Sequence, residues 1–236
     1  MFTDWLDLML YALQGRDDPY LDIVNKYDCD RSHGKRAPDL YKQAFTTLRY
    51  QTPRTNADLL GVIYETYGMA SDAFGQYFTP HNASRMNAEI ALDGLDAATV
   101  RARREQGNPV TVQDPACGSG RLLVGAAQQF PAAQYWGMDK DATCAKMTAL
   151  NFQLHNVDGV VVHGDSLTLE SFATWRTRRT MLGGTMVELE DAEPFADSTD
   201  SASHRNTGEN NRDAAMESID AGSDVTLRDA ALTEFQ

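Results

Sequence analysis

Residues 109–130 read PVTVQDPACGSGRLLVGAAQQF. A short apolar run ends at Asp114, the turn Pro115 to Gly120 carries two glycines, and an apolar segment of helical pattern starts at once. Strand, tight turn and helix in that order open a parallel α/β unit, with the carboxylate placed at the strand's end. Gly118 and Gly120 suit a backbone that adopts unusual dihedrals and admits a ligand with no Cβ in the way.

Working outward, AQYWGMD (133–139) predicts a second strand ending at Asp139, DATCAKMTALNFQLHN (141–156) a helix, and GVVVHGD (159–165) a third strand ending at Asp165. Upstream, helices are expected at 4–14, with Thr3 as N-cap and Gly15 beyond its end, at 19–27, with Pro19 in the first turn, and at 38–50. ADLLGVIYETYG (57–68) follows, with Asn56 as its cap and Leu59, Leu60, Ile63, Tyr64 and Tyr67 on one face; another helix is expected to start at Thr79-Pro80. Beyond about Arg179 the chain is polar, with only TMVELE (185–190) reading as a strand and TLRDAALTEF (226–235) as a weak helix. The organisation expected is a helical region over 1–70, an α/β domain over 71–187 with flanking helices on a parallel sheet, and an acidic, largely disordered tail over 188–236.

The net charge of -13 is uneven. From Glu188 onward 13 acids face three arginines, a net -10, whereas the first 187 residues hold 21 acids and 18 bases, or -3. A nearly neutral body with an acidic tail is compatible with a nucleic-acid partner bound through a local patch. Lysine occurs at only five positions while aspartate and arginine are plentiful, a bias that fits a salt-loving source. Cys29, Cys117 and Cys144 have neither paired nor zinc-ligand spacing and read as free thiols, so no metal site is expected. No run of about 18 apolar residues and no signal-peptide pattern is present, which points to a cytoplasmic protein without membrane contact.

Three successive parallel strands that end in Asp114, Asp139 and Asp165 aim three acceptors at one crevice, where a donor-rich ligand can share them. S-adenosylmethionine (SAM) is such a ligand, offering an amine, two ribose hydroxyls and an adenine amino group. The 25 residues from Asp114 to Asp139 are close to the roughly 20 between a Gly-rich turn and the ribose-binding acid of dinucleotide folds.

With these segments in hand the chain resembles the adenine-N6 DNA methyltransferases, in particular the modification subunits of type I restriction-modification systems. FGQYFTP (74–80) resembles that family's motif X, DPACGSG (114–120) motif I, GMD (137–139) motif II and GDSL (164–167) motif III, and DLLGVIYETYG is similar to the segment before motif X. The resemblance spans roughly residues 55 to 170. It implies a partial Rossmann-like SAM-dependent methyltransferase fold, with Thr79, Pro80 and the neighbouring backbone holding the methionyl carboxylate and Gln76, Tyr77 and Phe78 lining that wall. It further implies that Asp114 takes the methionyl amine, that Ala116, Gly118, Ser119 and Gly120 form the turn against the cofactor, and that Asp139 takes the ribose and Asp165 the adenine amino group. DNA is the partner so implied, with a specificity subunit or second methyltransferase subunit beside it.

The catalytic residues are not identified by this pattern. The family's base-activating motif is an Asn or Asp followed by Pro-Pro and an aromatic residue, and the sequence holds no Pro-Pro. AEPF (192–195) matches only the second half of it, and an ordinary turn accounts for it as well. A fourth strand should cover the first strand's outer side, a place that TMVELE or a partner chain could fill. The runs Arg101, Arg103, Arg104 and Arg176, Arg178, Arg179 could contact phosphates, or form solvated helix faces.

Overall fold

The computed structural model describes residues 1–27, 36–68 and 95–189, and the backbone of Val225–Thr226. Among these residues four N-terminal helices, α1 (Phe2–Gln14), α2 (Asp17–Lys26), α3 (Ala37–Thr55) and α4 (Leu59–Thr66), precede α5 (Ala97–Glu105). Alternation follows: β1 (Thr111–Asp114), α6 (Arg121–Gln129), β2 (Gln134–Asp139), α7 (Ala142–Leu154) and β3 (Gly159–Asp165). Then come β4 (Glu170–Arg178), β5 (Thr185–Leu189) and the two-residue β6 (Val225–Thr226).

The strands lie in the order β5-β4-β3-β2-β1-β6. β1, β2 and β3 are mutually parallel, as their connection through α6 and α7 requires. The expected all-parallel sheet is nevertheless corrected to a mixed one, because β4 returns antiparallel to β3 and β5 antiparallel to β4. Only four residues separate β3 from β4, too few for a parallel crossover. TMVELE does form a strand, yet it extends the sheet beyond β4; Val225 and Thr226 instead pair with Val112 and Gln113 on the outer side of β1. The segment 226–235, expected to be helical, therefore has its first residue in a strand.

One face of the sheet carries the main core. Val112, Tyr135, Val161, Trp175 and Met186 project from it and pack with Leu123 of α6 and Met147, Leu150 and Phe152 of α7. The N-terminal helices join the same core through Trp5, Leu6, Met9, Leu10, Leu48, Leu60 and Tyr64. Three polar links fix α1 and the turn after it in place: Lys146 to Asp7 (2.6 Å), Arg16 to Glu188 (2.5 Å), and the Glu188 backbone N–H to Gln14 (3.0 Å).

Several local expectations change. α1 starts at Phe2 with Met1 in the cap position, so Thr3 lies inside it; Gly15 does end it in the left-handed conformation. Asn56 takes that conformation at φ 52° and closes α3, while Asp58 caps α4 by accepting from the Gly61 N–H. Tyr67, expected on the apolar face, is 76% exposed. Arg176 and Arg178 sit on a strand rather than a helix. Gln76 to Pro80, the helix expected from Thr79, Cys29 and AEPF lie outside the described residues. Among the described residues no helix is long and apolar enough to cross a membrane, and Cys117 and Cys144 are buried free thiols.

Candidate functional site

The carboxyl ends of β1, β2 and β3 carry Asp114, Asp139 and Asp165 side by side. Asp114 pairs with Gly137 two residues before Asp139, and Asp139 with His163 two residues before Asp165, so the three acids advance stepwise along one edge. Asp114 is buried and accepts from the Ala116 N–H at 3.1 Å, an Asx-type closure that starts the turn.

The turn is secured on every side. Cys117 N–H donates to the Met138 carbonyl (2.9 Å), Gly120 N–H to the Cys117 carbonyl (2.8 Å), and Thr148 Oγ1 to the Gly118 carbonyl (2.8 Å). Gly118 (φ 57°) and Gly120 (φ 79°) both occupy the left-handed region that the sequence suggested. A Cβ on Gly120 would also stand 2.8 Å from Thr148 Cγ2, so close packing against α7 reinforces the need for glycine.

Asp139 is bound from two directions. Its Oδ2 accepts from Gly118 N–H at 2.8 Å and its Oδ1 from Asp141 N–H at 2.9 Å, which turns the carboxylate edge toward the Gly-rich loop. Burial raises its pKa from the ordinary aspartate value, against the pull of those two N–H donors. A carboxylate has about four acceptor positions, so one remains on each oxygen for a pair of neighbouring hydroxyls. Asp165 behaves oppositely: Lys140 Nζ at 2.6 Å and Leu167 N–H at 2.9 Å hold its carboxyl below the ordinary value.

The sequence reading missed what lies behind the turn. Asp58 is 1% exposed, and its Oδ1 accepts from Gly61 N–H (2.7 Å) and Asn151 Nδ2 (2.8 Å) while its Oδ2 accepts from Ser119 Oγ and Arg121 Nε (3.1 Å). Arg121, also buried, reaches Glu65 with Nη2 at 2.8 Å, and Asn151 Nδ2 additionally donates to the Ser119 carbonyl at 2.8 Å. One carboxylate thus ties α4, the turn, α6 and α7 together. Ser119, expected among the ligand contacts, commits its hydroxyl to this interior network. The available signal was a polar residue inside each apolar segment, Arg121 ahead of LLVGAA and Asn151 within TALNFQL, each of which needs a buried partner.

The class of protein follows. The family model described as "N-6 DNA Methylase" matches residues 55–183, which is more than half the chain and contains the turn, all three strand-end acids and Asp58. The chain belongs to that family. More particularly, it is 32% identical over 136 residues to the "Type II methyltransferase M.MamI" of Microbacterium ammoniaphilum, an alignment covering 48% of this chain and 35% of that protein. The chain therefore spans about a third of the length of that curated relative. No solved structure matches it.

Proposed function

We propose that this chain binds SAM at the β1–β3 edge and serves adenine-N6 methylation of DNA, as an enzyme or as the cofactor-binding part of one, within a restriction-modification or other DNA-modification system. The observation that carries the reading is the Asp139 carboxylate, oriented by Gly118 and Asp141 with one acceptor position left on each oxygen beside a left-handed Gly-rich turn. Two vicinal ribose hydroxyls match that arrangement. Asp114 would take the methionyl amine and Asp165, oriented by Lys140, the adenine amino group. Thr79 and Pro80, with Gln76, Tyr77 and Phe78, would close the methionyl end, while Ser119 would contribute through its backbone. This is a partial Rossmann-like methyltransferase arrangement in a protein that works in the cytoplasm, and a specificity or second methyltransferase subunit is the partner that would supply target recognition. The bound cofactor would supply an electrophilic methyl group; these residues bind and orient it, and none of them activates the acceptor amine.

A second reading, a SAM-binding regulatory or DNA-binding subunit without transfer activity, is favoured by one observation, the lack of any Pro-Pro in the sequence. Expression in cells lacking adenine methylation separates the two. N6-methyladenine in their DNA, formed by this chain alone or with the products of neighbouring genes, supports the first reading. SAM binding with unmethylated DNA in both settings leaves the second.

A further inference from the structure

At the opposite end of the sheet the two arginine runs meet. Arg104 of α5 donates through Nη1 to the Ala132 carbonyl at 3.1 Å and pairs through Nη2 with Asp158; Arg179, just past β4, donates to the adjacent Pro131 carbonyl at 2.9 Å. Residues more than 70 positions apart are thereby pinned to one turn. Arg104 also lines a cavity of about 130 Å³, together with Arg176, Arg178, Trp136 and Asp158 among others.

Its charge is unbalanced. Arg176 and Arg178 project from the same face of β4 two residues apart, and Arg176 pairs across the sheet with Val160, which in turn pairs with Trp136. Neither arginine makes an ion pair with any described residue, and the buried Nε of Arg176 has no hydrogen-bond acceptor. Asp158, the single acid among the described lining residues, is engaged by Arg104. In a chain with 34 acids and 21 bases, the described lining of this cavity holds three guanidinium groups and one carboxylate. Like charges held together repel, and the anionic oxygens of a phosphate group offset that repulsion while accepting from planar N–H forks two at a time.

We propose that this cavity is a phosphate-binding site, and that its ligand is the phosphodiester backbone of DNA. The site lies at the amino ends of β2 and β3, roughly 17 Å from the strand-end acids at 3.3 Å per residue. It would grip DNA away from the methyl-transfer end and read no bases.

The test uses the full chain and its Arg176→Gln/Arg178→Gln variant, titrated with inorganic phosphate by calorimetry and with a short duplex across a salt series. Phosphate binding should disappear in the variant, and the slope of log K against log salt for the duplex should fall by about 1.8, from about 0.9 per lost contact. Phosphate binding lost with the duplex slope unchanged, or with no duplex binding by wild type, retains the site but overturns DNA as its ligand in favour of a small phosphate. Equal phosphate binding and equal slopes overturn the site itself, as does no phosphate binding by wild type with equal slopes. SAM titrated into both proteins should bind alike, which separates this outcome from any failure of the cofactor reading. Should the double variant unfold, Arg178→Gln, at an exposed position, reads one contact and a slope change of about 0.9.

Discussion

Asp58 is the residue on which the turn's geometry most depends. Its four acceptor positions are all in use, so Asp58→Ala removes one carboxylate partner from the buried Arg121 and strands donors of Ser119 and Asn151. Breaking such a buried pair from one side costs about 3–5 kcal/mol, which urea unfolding of the variant should show. Asp139 gives a second prediction, one in pH. Only its ionised form offers both oxygens to hydroxyl donors, so SAM affinity should fall as pH drops through a pKa that burial has raised from the ordinary aspartate value. Folding moves the other way: the raised pKa favours the protonated form, so this group's contribution to stability is present at low pH and lost as pH rises through the folded value. Opposite slopes check both, with SAM affinity followed in wild type and unfolding in wild type against Asp139→Ala. Asp114, Asp139 and Asp165 were legible in the sequence because each closes a strand. Asp58 was not, since Ser119, Arg121 and Asn151 lie 61, 63 and 93 positions away.

Among the elements, β1, α6, β2, α7 and β3 were readable within a few residues, because apolar runs alternate with turns and each strand ends in an acid. β4 went unread despite a period-two pattern in ATWRT, where Trp175 and Thr177 are buried on the core face and Arg176 is turned to the other. Its polar residues disguised it: Thr177 is a core residue because its hydroxyl donates to the Val157 carbonyl at 2.9 Å. The helix caps at Asn56 and Asp58 differed for a related reason, since Asn serves at either helix end and only the buried partners of Asp58 decide which of the two starts α4. α1 offers the stability test for this scale. Leu6 is fully buried between α1 and the rest of the core, and Leu6→Ala should lower stability by about 2–5 kcal/mol in denaturant unfolding. The joint of α1 with α2 is acid-sensitive as well. Tyr27 and Lys26 hold the pKa of Asp4 down from 3.8 to about 2, so its contribution is present above the unfolded value and lost as pH falls through about 2. Asp4→Asn should flatten the acid limb of the stability profile between those two values.

For the molecule as a whole, the α/β character and the ligand edge of the sheet came from the sequence, whereas the antiparallel flank did not. That flank depends on the short β3–β4 connection and on pairing between distant segments, neither of which periodicity encodes. The net charge of -13 leads to one further expectation: thermal unfolding in buffer should shift upward on addition of molar potassium chloride, as repulsion among the acids is screened. The central claim is that Asp139 and the turn it orients receive SAM. Calorimetric titration of SAM into wild type and Asp139→Ala, each first shown to unfold cooperatively, tests it most directly. The account predicts one saturable site in wild type and its loss in the variant; no binding by wild type, or equal binding by both, would contradict it.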